Sequence, residues 1–438
     1  MRKKGSLRDL TQACLMSSSN FSRGRFLAVA AAFQAAMLPL EAQAQVSPPS
    51  TATSATEELL EQLQKNRTGR RALVLSGGGA RGAYQAGMIG AWTAAANIKD
   101  GQPLSTYGLV CGTSIGALNA YMVATGRYSA LQTMWQTVAS QEVVKLKKQY
   151  RYITDHNSGV GNRIAQAIGL ALGLKSNVTG VLDSSRVRKW LMENMDPTAP
   201  VLMPVVWTVT NLSDQRPEFF YRVPRQLTQL EHDVVVEAIK DTVGPDTAVR
   251  EATPDILVDS LQASASIPLA FDPVVLPSPT GGTAQYVDGG VTANTPIGVA
   301  RAFASIVDVV LMDPVFEPET YKNAMEIGIG VFGTMQQRIL DADIRAAVFE
   351  TYGKQAFDAM PRSIISQMTH GSTTEYAAFE RFLNSMYATT FFVKRPDKVL
   401  PVEVVGFNDE KGLSETFDVG WKAAATPFQK YNADEFTF

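Results

Sequence analysis

The feature that most constrains this chain is a serine held between two glycines at a predicted strand-to-helix turn. The apolar run Tyr107–Cys111 predicts a buried strand, which breaks at Gly112 and resumes as a small-residue helical pattern through Ala124. Gly112, Ser114 and Gly116 have the G-x-S-x-G spacing of a nucleophile elbow, in which the turn lifts the hydroxyl clear of its neighbours and close backbone approach leaves no room for flanking Cβ atoms. The same spacing also occurs in ordinary tight turns, so the rest of the chain has to decide between the two interpretations.

A glycine-rich turn follows an earlier predicted strand, Ala72–Leu75, and leads directly into a helical pattern. Its residues are Gly77, Gly78, Gly79, Ala80, Arg81 and Gly82. Such a turn forms a nest of backbone N–H groups that binds negative charge. Three of the glycines satisfy the dinucleotide fingerprint, but that site needs an acidic residue at the end of the second strand, where Ser114 stands instead. A P-loop is excluded because the Gly-Lys-Ser/Thr ending is missing. An oxyanion hole fits, since adjacent strands would bring this loop beside the elbow.

The third candidate for chemistry is Asp288, which ends a short predicted strand and precedes Gly289 and Gly290. Asp-Gly after a strand is also typical of a hairpin turn. In an open α/β sheet, functional groups gather where strands end, and a double glycine lets the backbone turn so that Asp288 projects there. Both interpretations are compatible with the local sequence.

Composition sets broad limits on the fold and its partners. The 438 residues are 45% hydrophobic and 19% charged, enough apolar material for one large α/β domain or two ordinary ones. The net charge of −2 gives no indication of nucleic-acid binding. Two cysteines, Cys14 and Cys111, cannot build a disulfide framework, and no metal-binding spacing is present. We therefore predict no metal, no cofactor and an activity that survives chelators.

Residues 1–44 have the pattern of a secretory signal peptide: a basic first part, an apolar run Phe26–Leu40 and the small residues of Ala42–Ala44. The apolar run is short and interrupted for a membrane span, and a buried N-terminal helix is the alternative. Residues 45–70 begin Ser/Thr/Pro-rich and predict a flexible tether. We expect an exported protein that is periplasmic, outer-membrane-associated or extracellular.

The remaining elements are predicted from periodicity and breakers. Expected strands are Pro204–Asn211, Phe219–Arg222, Ile306–Met312, Phe391–Pro396 and Val402–Val405, and expected helices are Asp183–Asn194, Leu261–Pro268 and Thr416–Tyr431. Helical or lid-like insertions are expected near residues 143–180, 225–255 and 320–385. The first of these is either a mobile apolar lid whose lysines meet lipid headgroups, or a solvated basic turn followed by a buried helix.

With three motifs in chain order, the sequence resembles the patatin-like phospholipase family from about residue 71 to 425. Gly77–Gly82 matches the family's G-G-G-x-R/K-G loop, Gly112–Gly116 its G-x-S-x-G elbow, and Asp288–Gly290 its D-G-G/A motif. Ala263–Pro268 is similar to the alanine/serine/proline segment that precedes the aspartate. The resemblance implies an α/β fold of the three-layer α/β/α sandwich type, with a central mostly parallel sheet flanked by helices, and a catalytic domain over residues 71–430.

The resemblance also implies a lipid acyl hydrolase of the phospholipase A or lysophospholipase type. Ser114 would attack an ester carbonyl, and Asp288 would act as its base with no histidine between them. Backbone N–H groups of Gly78, Gly79 and Ala80 would hold the oxyanion, while Arg81 would anchor the loop or face a lipid phosphate. The implied partner is a phospholipid or another acyl ester, met at a membrane surface by a peripheral protein.

Three other functions compete with this one. A Ser-His-Asp esterase needs one of His156, His232 and His370, and the chain order of α/β-hydrolases favours His370. A non-enzymatic lipid-binding or interaction protein on the same scaffold is the alternative from another class. Acyl transfer to an alcohol would share the acyl-enzyme with hydrolysis, and the sequence does not separate the two.

Overall fold

The computed structural model describes residues 67–151, 163, 166–168, 179–243, 247–314, 333–334, 343–355, 359 and 388–431. The predicted signal peptide and nearly all of the predicted tether lie outside these residues, as do most of the insertion at 320–385 and the centre of that at 143–180. The chain divides into two compact units. One comprises Met1–Thr51 and Ala346–Ala388, of which residues 346–355 are described as helical. The other comprises Ala52–Arg345 and Thr389–Phe438 and contains every strand and site discussed below.

The strands and helices are numbered here in chain order. The strands are β1 Arg71–Leu75, β2 Leu109–Thr113, β3 Val205–Asn211, β4 Arg216–Arg222, β5 Val249–Glu251, β6 Val274–Pro277, β7 Thr283–Asp288, β8 Ile306–Val310, β9 Thr390–Lys394 and β10 Gln429–Lys430. The helices are α1 Gly82–Ala95, α2 Ile115–Ala124, α3 Tyr128–Thr137, α4 Lys148–Arg151, α5 Ser184–Asn194, α6 Gln229–Val243, α7 Leu257–Ser264, α8 Ile297–Phe303 and α9 Glu410–Ala423, with 3-10 turns at Gly79–Arg81 and Gly289–Val291.

The ten strands of the described residues join one sheet in the order β10-β9-β8-β1-β2-β3-β4-β5, with β7 and β6 continuing from β3. The central strands β9, β8, β1, β2 and β3 are parallel, and antiparallel pairs join β10, β4, β7 and β6. Strands β2 and β3 are buried at every position, because a parallel sheet of this kind is covered on both faces.

Helices pack on both faces of the sheet. On one face α1, α2, α3 and α9 pack together, and Leu73 and Leu75 of β1 join their core. Ala72 and Val74, which alternate with these leucines along β1, point to the opposite face, where α8 packs on β1, β2 and β8 and against α6. The predicted three-layer α/β/α sandwich around a mostly parallel sheet is confirmed. No helix among the described ranges is both long and apolar enough to span a bilayer.

Two strand ends meet at one edge of β3, and this meeting positions the site. Strand β4 pairs along the whole of the other edge. On the first edge β2 runs parallel to β3 and ends with Thr113 opposite Thr208, while β7 runs antiparallel and ends with Asp288 opposite Val209. Because Thr208 and Val209 are consecutive, β2 and β7 approach each other head-on and deliver their last residues to adjacent places.

Several predicted boundaries were wrong. Strand β2 continues through Thr113, because Gly112 pairs in the ladder with Leu75 and Trp207 instead of breaking it. Residues 402–405 form turns, not a strand, and the last helix is Glu410–Ala423, which begins and ends earlier than predicted. The helical insertion expected near 225–255 contains α6, but the strand β5 that follows it and extends the sheet beside β4 was not predicted.

Candidate active site

Ser114 lies at the sharp turn between β2 and α2, with backbone angles φ 55° and ψ −131°. A non-glycine residue with positive φ is strained, and such strain concentrates at functional sites. The turn is made possible by close backbone approach: a Cβ on Gly116 would overlap the carbonyl oxygen of Leu75 at the end of β1, and one on Gly112 would overlap the carbonyl oxygen of Gly116. The elbow predicted from the spacing of these residues is therefore a real turn of the chain.

The side chains of Ser114 and Asp288 are in direct contact. Ser114 Oγ donates a hydrogen bond of 2.6 Å to Asp288 Oδ2, and the two residues are 3% and 1% exposed. The other carboxylate oxygen, Oδ1, accepts from the Gly290 N–H at 2.7 Å. The second glycine of the Asp-Gly-Gly motif thus supports the carboxylate itself. A hydroxyl and a carboxylate 174 residues apart in the chain share one buried hydrogen bond.

Burial raises the pKa of Asp288 to about 7, against the lowering effect of its hydrogen bonds from Ser114 and Gly290. An isolated carboxylate in water is a weak base, with a pKa near 4. A carboxylate whose pKa is near neutrality accepts a proton more readily and is still ionised in a large fraction of molecules at pH 7. The site therefore makes Asp288 a stronger base than an exposed carboxylate.

The backbone around Asp288 is held by β3. A Cβ on Gly289 would overlap the Thr208 carbonyl oxygen, so the chain can turn after Asp288 only with glycine there. Thr210 Oγ1 donates to the Asp288 carbonyl oxygen at 2.9 Å. Thr113 Oγ1 donates to the Ala293 carbonyl oxygen at 3.1 Å and so ties the elbow to the loop that follows the aspartate.

The glycine-rich loop lies next to the elbow because β1 and β2 are adjacent parallel strands. Gly79 has φ +58°, and a Cβ there would overlap the Val404 carbonyl oxygen. The Ala80 N–H donates to that same oxygen at 2.8 Å, and the Gly77 N–H donates to Asn294 Oδ1 at 3.2 Å. Among the described residues, the N–H groups of Gly78 and Gly79 donate to no other group.

These contacts bear on the predicted oxyanion donors. Ala80 was expected to contribute an N–H, but that group is occupied by Val404 and cannot also bind a substrate oxygen. Gly78 and Gly79 have the two N–H groups that stay available. Gly82 begins α1 and packs against Ile115 and Trp135, where a side chain would clash.

Arg81 anchors the loop. Its guanidinium forms a short ion pair with Asp313 just beyond β8, and Nε donates to the Val402 carbonyl oxygen at 3.4 Å. Of the two roles expected for Arg81, loop anchoring accounts for these contacts.

Three supporting residues were missed from the sequence. Asn294 receives the Gly77 N–H, Val404 receives the Ala80 N–H, and Ser264 Oγ receives the Ser114 N–H at 2.9 Å. Ser264 lay in a segment that the resemblance singled out, Ala263–Pro268, whereas Val404 lay only in the expected strand Val402–Val405 and Asn294 in no named segment. The other two contacts depend on loops that meet only in the folded chain, and no local pattern marks them.

No histidine within the described ranges contacts Ser114 or Asp288. His232 lies on α6, where it contacts Tyr221 and Asp233 and pairs at 4.0 Å with Glu251. His156 and His370 lie outside the described residues, so the Ser-His-Asp alternative keeps its candidate. Within the same ranges, no group of three or more His, Cys, Asp or Glu side chains is arranged to hold a metal ion.

Comparisons with known proteins agree with the motifs. The family model described as "Patatin-like phospholipase" matches residues 73–301, a range that includes the glycine-rich loop, the elbow and the Asp-Gly-Gly motif. A solved structure, that of VipD from Legionella pneumophila, is similar at 15% sequence identity with a TM-score of 0.32, covering 83% of this chain and 68% of that one. Among curated proteins no match was found.

Proposed function

The chain belongs to the patatin-like phospholipase family, whose model covers more than half of it, and from that premise we propose that it hydrolyses lipid acyl esters with a Ser114–Asp288 dyad. Family membership supports the coarser part of this statement, a lipid acyl hydrolase. The observation that carries the finer part is the buried 2.6 Å hydrogen bond from Ser114 Oγ to Asp288 Oδ2. The preferred substrate is a phospholipid or lysophospholipid at a membrane surface.

The reaction begins with attack on the ester. Ser114 Oγ attacks the carbonyl carbon as its proton moves to Asp288 Oδ2, and the carbonyl oxygen becomes an oxyanion. The N–H groups of Gly78 and Gly79 stabilise that oxyanion, and one such donor contributes about 3–4 kcal/mol to lowering the barrier. The positive end of the α2 dipole, beside Ser114, contributes in the same direction.

The second half of the reaction regenerates the enzyme. The ester C–O bond breaks, and the leaving alcohol takes the proton from Asp288, which leaves the acyl group on Ser114 Oγ. A water molecule then attacks the acyl carbon while Asp288 accepts its proton. Collapse of the second tetrahedral species returns a proton to Ser114 Oγ and releases the carboxylic acid. Atoms and charge balance with water as the only co-reactant.

The direct test compares wild type with Ser114→Ala on a short-chain nitrophenyl ester and on phosphatidylcholine vesicles. We expect the variant to lose at least about 10³-fold in kcat, because the covalent route is removed. A slowly deacylating ester should add one acyl mass to the Ser114 peptide of wild type and none to the variant. Ser260→Ala removes a different buried hydroxyl, that of Ser260 on α7, and should behave like wild type.

The same experiment separates the enzyme from the binding-protein alternative. If neither wild type nor Ser114→Ala hydrolyses any ester while both bind the vesicles equally, the chain is a lipid-binding protein and the proposed function is wrong. Equal hydrolysis by both proteins would show instead that the nucleophile lies elsewhere.

A further inference from the structure

The turn that ends α7 is hydrogen-bonded to the backbones of both Ser114 and Asp288. Ser264, the last residue of α7, is fully buried. Its hydroxyl accepts the Ser114 N–H at 2.9 Å and donates to the Thr208 carbonyl oxygen at 2.7 Å. The Ser264 hydroxyl thus accepts one hydrogen bond and donates another, which satisfies both backbone groups.

Two residues further on, the same turn reaches the aspartate. The Ser266 carbonyl oxygen accepts the Asp288 N–H at 2.9 Å. The backbones of Ser114 and Asp288 are thus hydrogen-bonded to positions 264 and 266 of one continuous turn. The register between these positions fixes how far apart the two backbones lie.

We propose that Ser264 is a positioning residue for the reaction, an inference that rests on the proposed function. Ser264 holds the strained turn at Ser114 in the position from which Ser114 Oγ reaches Asp288. Ser264 touches neither substrate nor reacting atoms, and it acts through the Ser114 backbone. A second consequence follows from the same hydrogen bond. Because the Ser114 N–H is bound by Ser264, it is not a donor to the oxyanion.

The role of Ser264 predicts a kinetic signature that a purely structural residue does not have. In Ser264→Ala the Ser114 N–H and the Thr208 carbonyl lose their partner, and the elbow is free to relax. The reacting oxygens then separate, and a misplacement of about 1 Å costs on the order of 10²-fold in rate. We expect kcat to fall about 10- to 100-fold while KM changes less than about twofold, since the substrate-binding surface is untouched.

The pH dependence gives an independent signature. Burial raises the pKa of Asp288, and hydrogen bonds from the Ser114 hydroxyl and the Gly290 N–H lower it; no charged side chain from the described part of the chain contributes. The neighbouring positions on α7 and β3 supply only neutral hydroxyl and backbone groups, from Ser264, Ser266 and Thr210. In Ser264→Ala the hydrogen bond from Ser114 Oγ to Asp288 becomes longer and lowers the pKa of Asp288 less. The acid limb of kcat/KM should therefore move to higher pH.

The experiment measures kcat, KM and the acid limb for wild type, Ser264→Ala, Ser264→Thr and the matched control Ser260→Ala. Ser260 is on the same helix and equally buried, but its hydroxyl donates to Leu257 within that helix. Ser264→Thr keeps the hydroxyl and should recover most of the lost kcat. If Ser264→Ala does not fold, Ser264→Cys takes its place, since sulfur fills the site and hydrogen-bonds weakly.

The outcomes are distinct from those for the proposed function. The positioning role is supported if kcat falls and the acid limb moves to higher pH only in the variants that lack the hydroxyl at position 264. If Ser264→Ala, or the cysteine variant, is no slower than Ser260→Ala and has an unshifted acid limb, the positioning role is overturned while the hydrolase stands. If wild type shows no turnover that depends on Ser114, both proposals fall.

Discussion

Asp288 has a carboxyl group that is almost fully buried, and none of the residues that the structure describes places a cation beside it. Its partners are the Ser114 hydroxyl and the Gly290 N–H. Burial outweighs these two hydrogen bonds, and the pKa of Asp288 rises to about 7. A carboxylate with that pKa is a stronger base than an exposed one, which supports the proposed dyad without an imidazole.

The raised pKa predicts the pH dependence of the reaction. Asp288 must be ionised to accept the serine proton, so kcat/KM should increase about tenfold per pH unit below an apparent pKa near 7 and level off above it. Initial rates on a soluble nitrophenyl ester between pH 4 and 9 measure this. An acid limb near pH 4, the ordinary value for Asp, would contradict the burial effect.

The same group predicts a pH-dependent stability difference. Between pH 3.8 and about 7 the folded state holds a proton on Asp288 that the unfolded chain has lost, so raising the pH through this window destabilises wild type. Asp288→Asn has no charge to bury and still offers Oδ1 to the Gly290 N–H. The free energy of unfolding of Asp288→Asn should exceed that of wild type by an amount that grows from near zero at pH 4 to at most about 4 kcal/mol at pH 8.

Thermal or denaturant unfolding of both proteins at matched pH measures that difference. All other titrating groups are common to the two proteins and cancel in the comparison. A constant difference in the free energy of unfolding from pH 4 to pH 8 would show that Asp288 has an ordinary pKa in the folded state.

At the scale of elements, the site exists because β2 and β7 run towards each other along one edge of β3. The sequence predicted both strands and the residues at their ends, since a serine between glycines and Asp-Gly-Gly are local patterns. The antiparallel direction of β7 was not predictable, because nothing in Thr283–Asp288 indicates which strand it pairs with. The motifs identified the two side chains of the proposed dyad, and tertiary pairing determined how they meet.

The segment 402–405 is a second case in which the local sequence did not predict the structure. Its β-branched residues predicted a strand, but it forms turns whose carbonyl oxygens bind the glycine-rich loop through Ala80 and Arg81. A carbonyl used in this way carries no side-chain signature. Propensity therefore failed where the backbone was needed as a hydrogen-bond acceptor for a remote loop.

Gly79→Ala tests the dependence of the site on that loop. The substitution places a side chain at φ +58° and against the Val404 carbonyl oxygen, so stability should fall by at least about 1–2 kcal/mol. The displaced loop moves the Gly78 and Gly79 N–H groups, and kcat should fall by about 10-fold or more. Unfolding and ester hydrolysis are measured on the same preparation.

Gly281→Ala is the matched control. Gly281 also has positive φ, +99°, but a Cβ there meets nothing within 4 Å. The backbone strain should therefore cost stability without changing kcat. Equal kcat values for the two variants would show that the glycine-rich loop does not position oxyanion donors.

At the scale of the whole molecule, the large unit carries the sheet, the dyad and the glycine-rich loop together. The apolar runs and the breakers between them predicted α/β structure, and the family resemblance implied the sandwich class, which the helices on both faces of the sheet confirm. The positions of insertions were harder to predict, since α6 and β5 come from charged sequence that lacks a clear period.

We propose that the chain is exported and processed, on the basis of the basic and apolar pattern in residues 1–44. Expression with its own N-terminus in a bacterial host should give an extracytoplasmic protein that begins at Gln45, after the small residues of Ala42–Ala44. N-terminal sequencing and intact mass of the fractionated protein measure this. A cytoplasmic product that retains Met1 would contradict the proposal.

The most direct test of the central claim, that Asp288 activates Ser114 without a histidine, is the pH profile of a histidine-free protein. The chain contains three histidines, so replacing His156, His232 and His370 by Gln removes every imidazole. We predict that this variant keeps kcat/KM within a few-fold of wild type and the same acid limb near pH 7, and that adding Asp288→Asn abolishes turnover. Loss of about 10³-fold or more in a folded histidine-free protein would contradict the claim and assign the base to an imidazole.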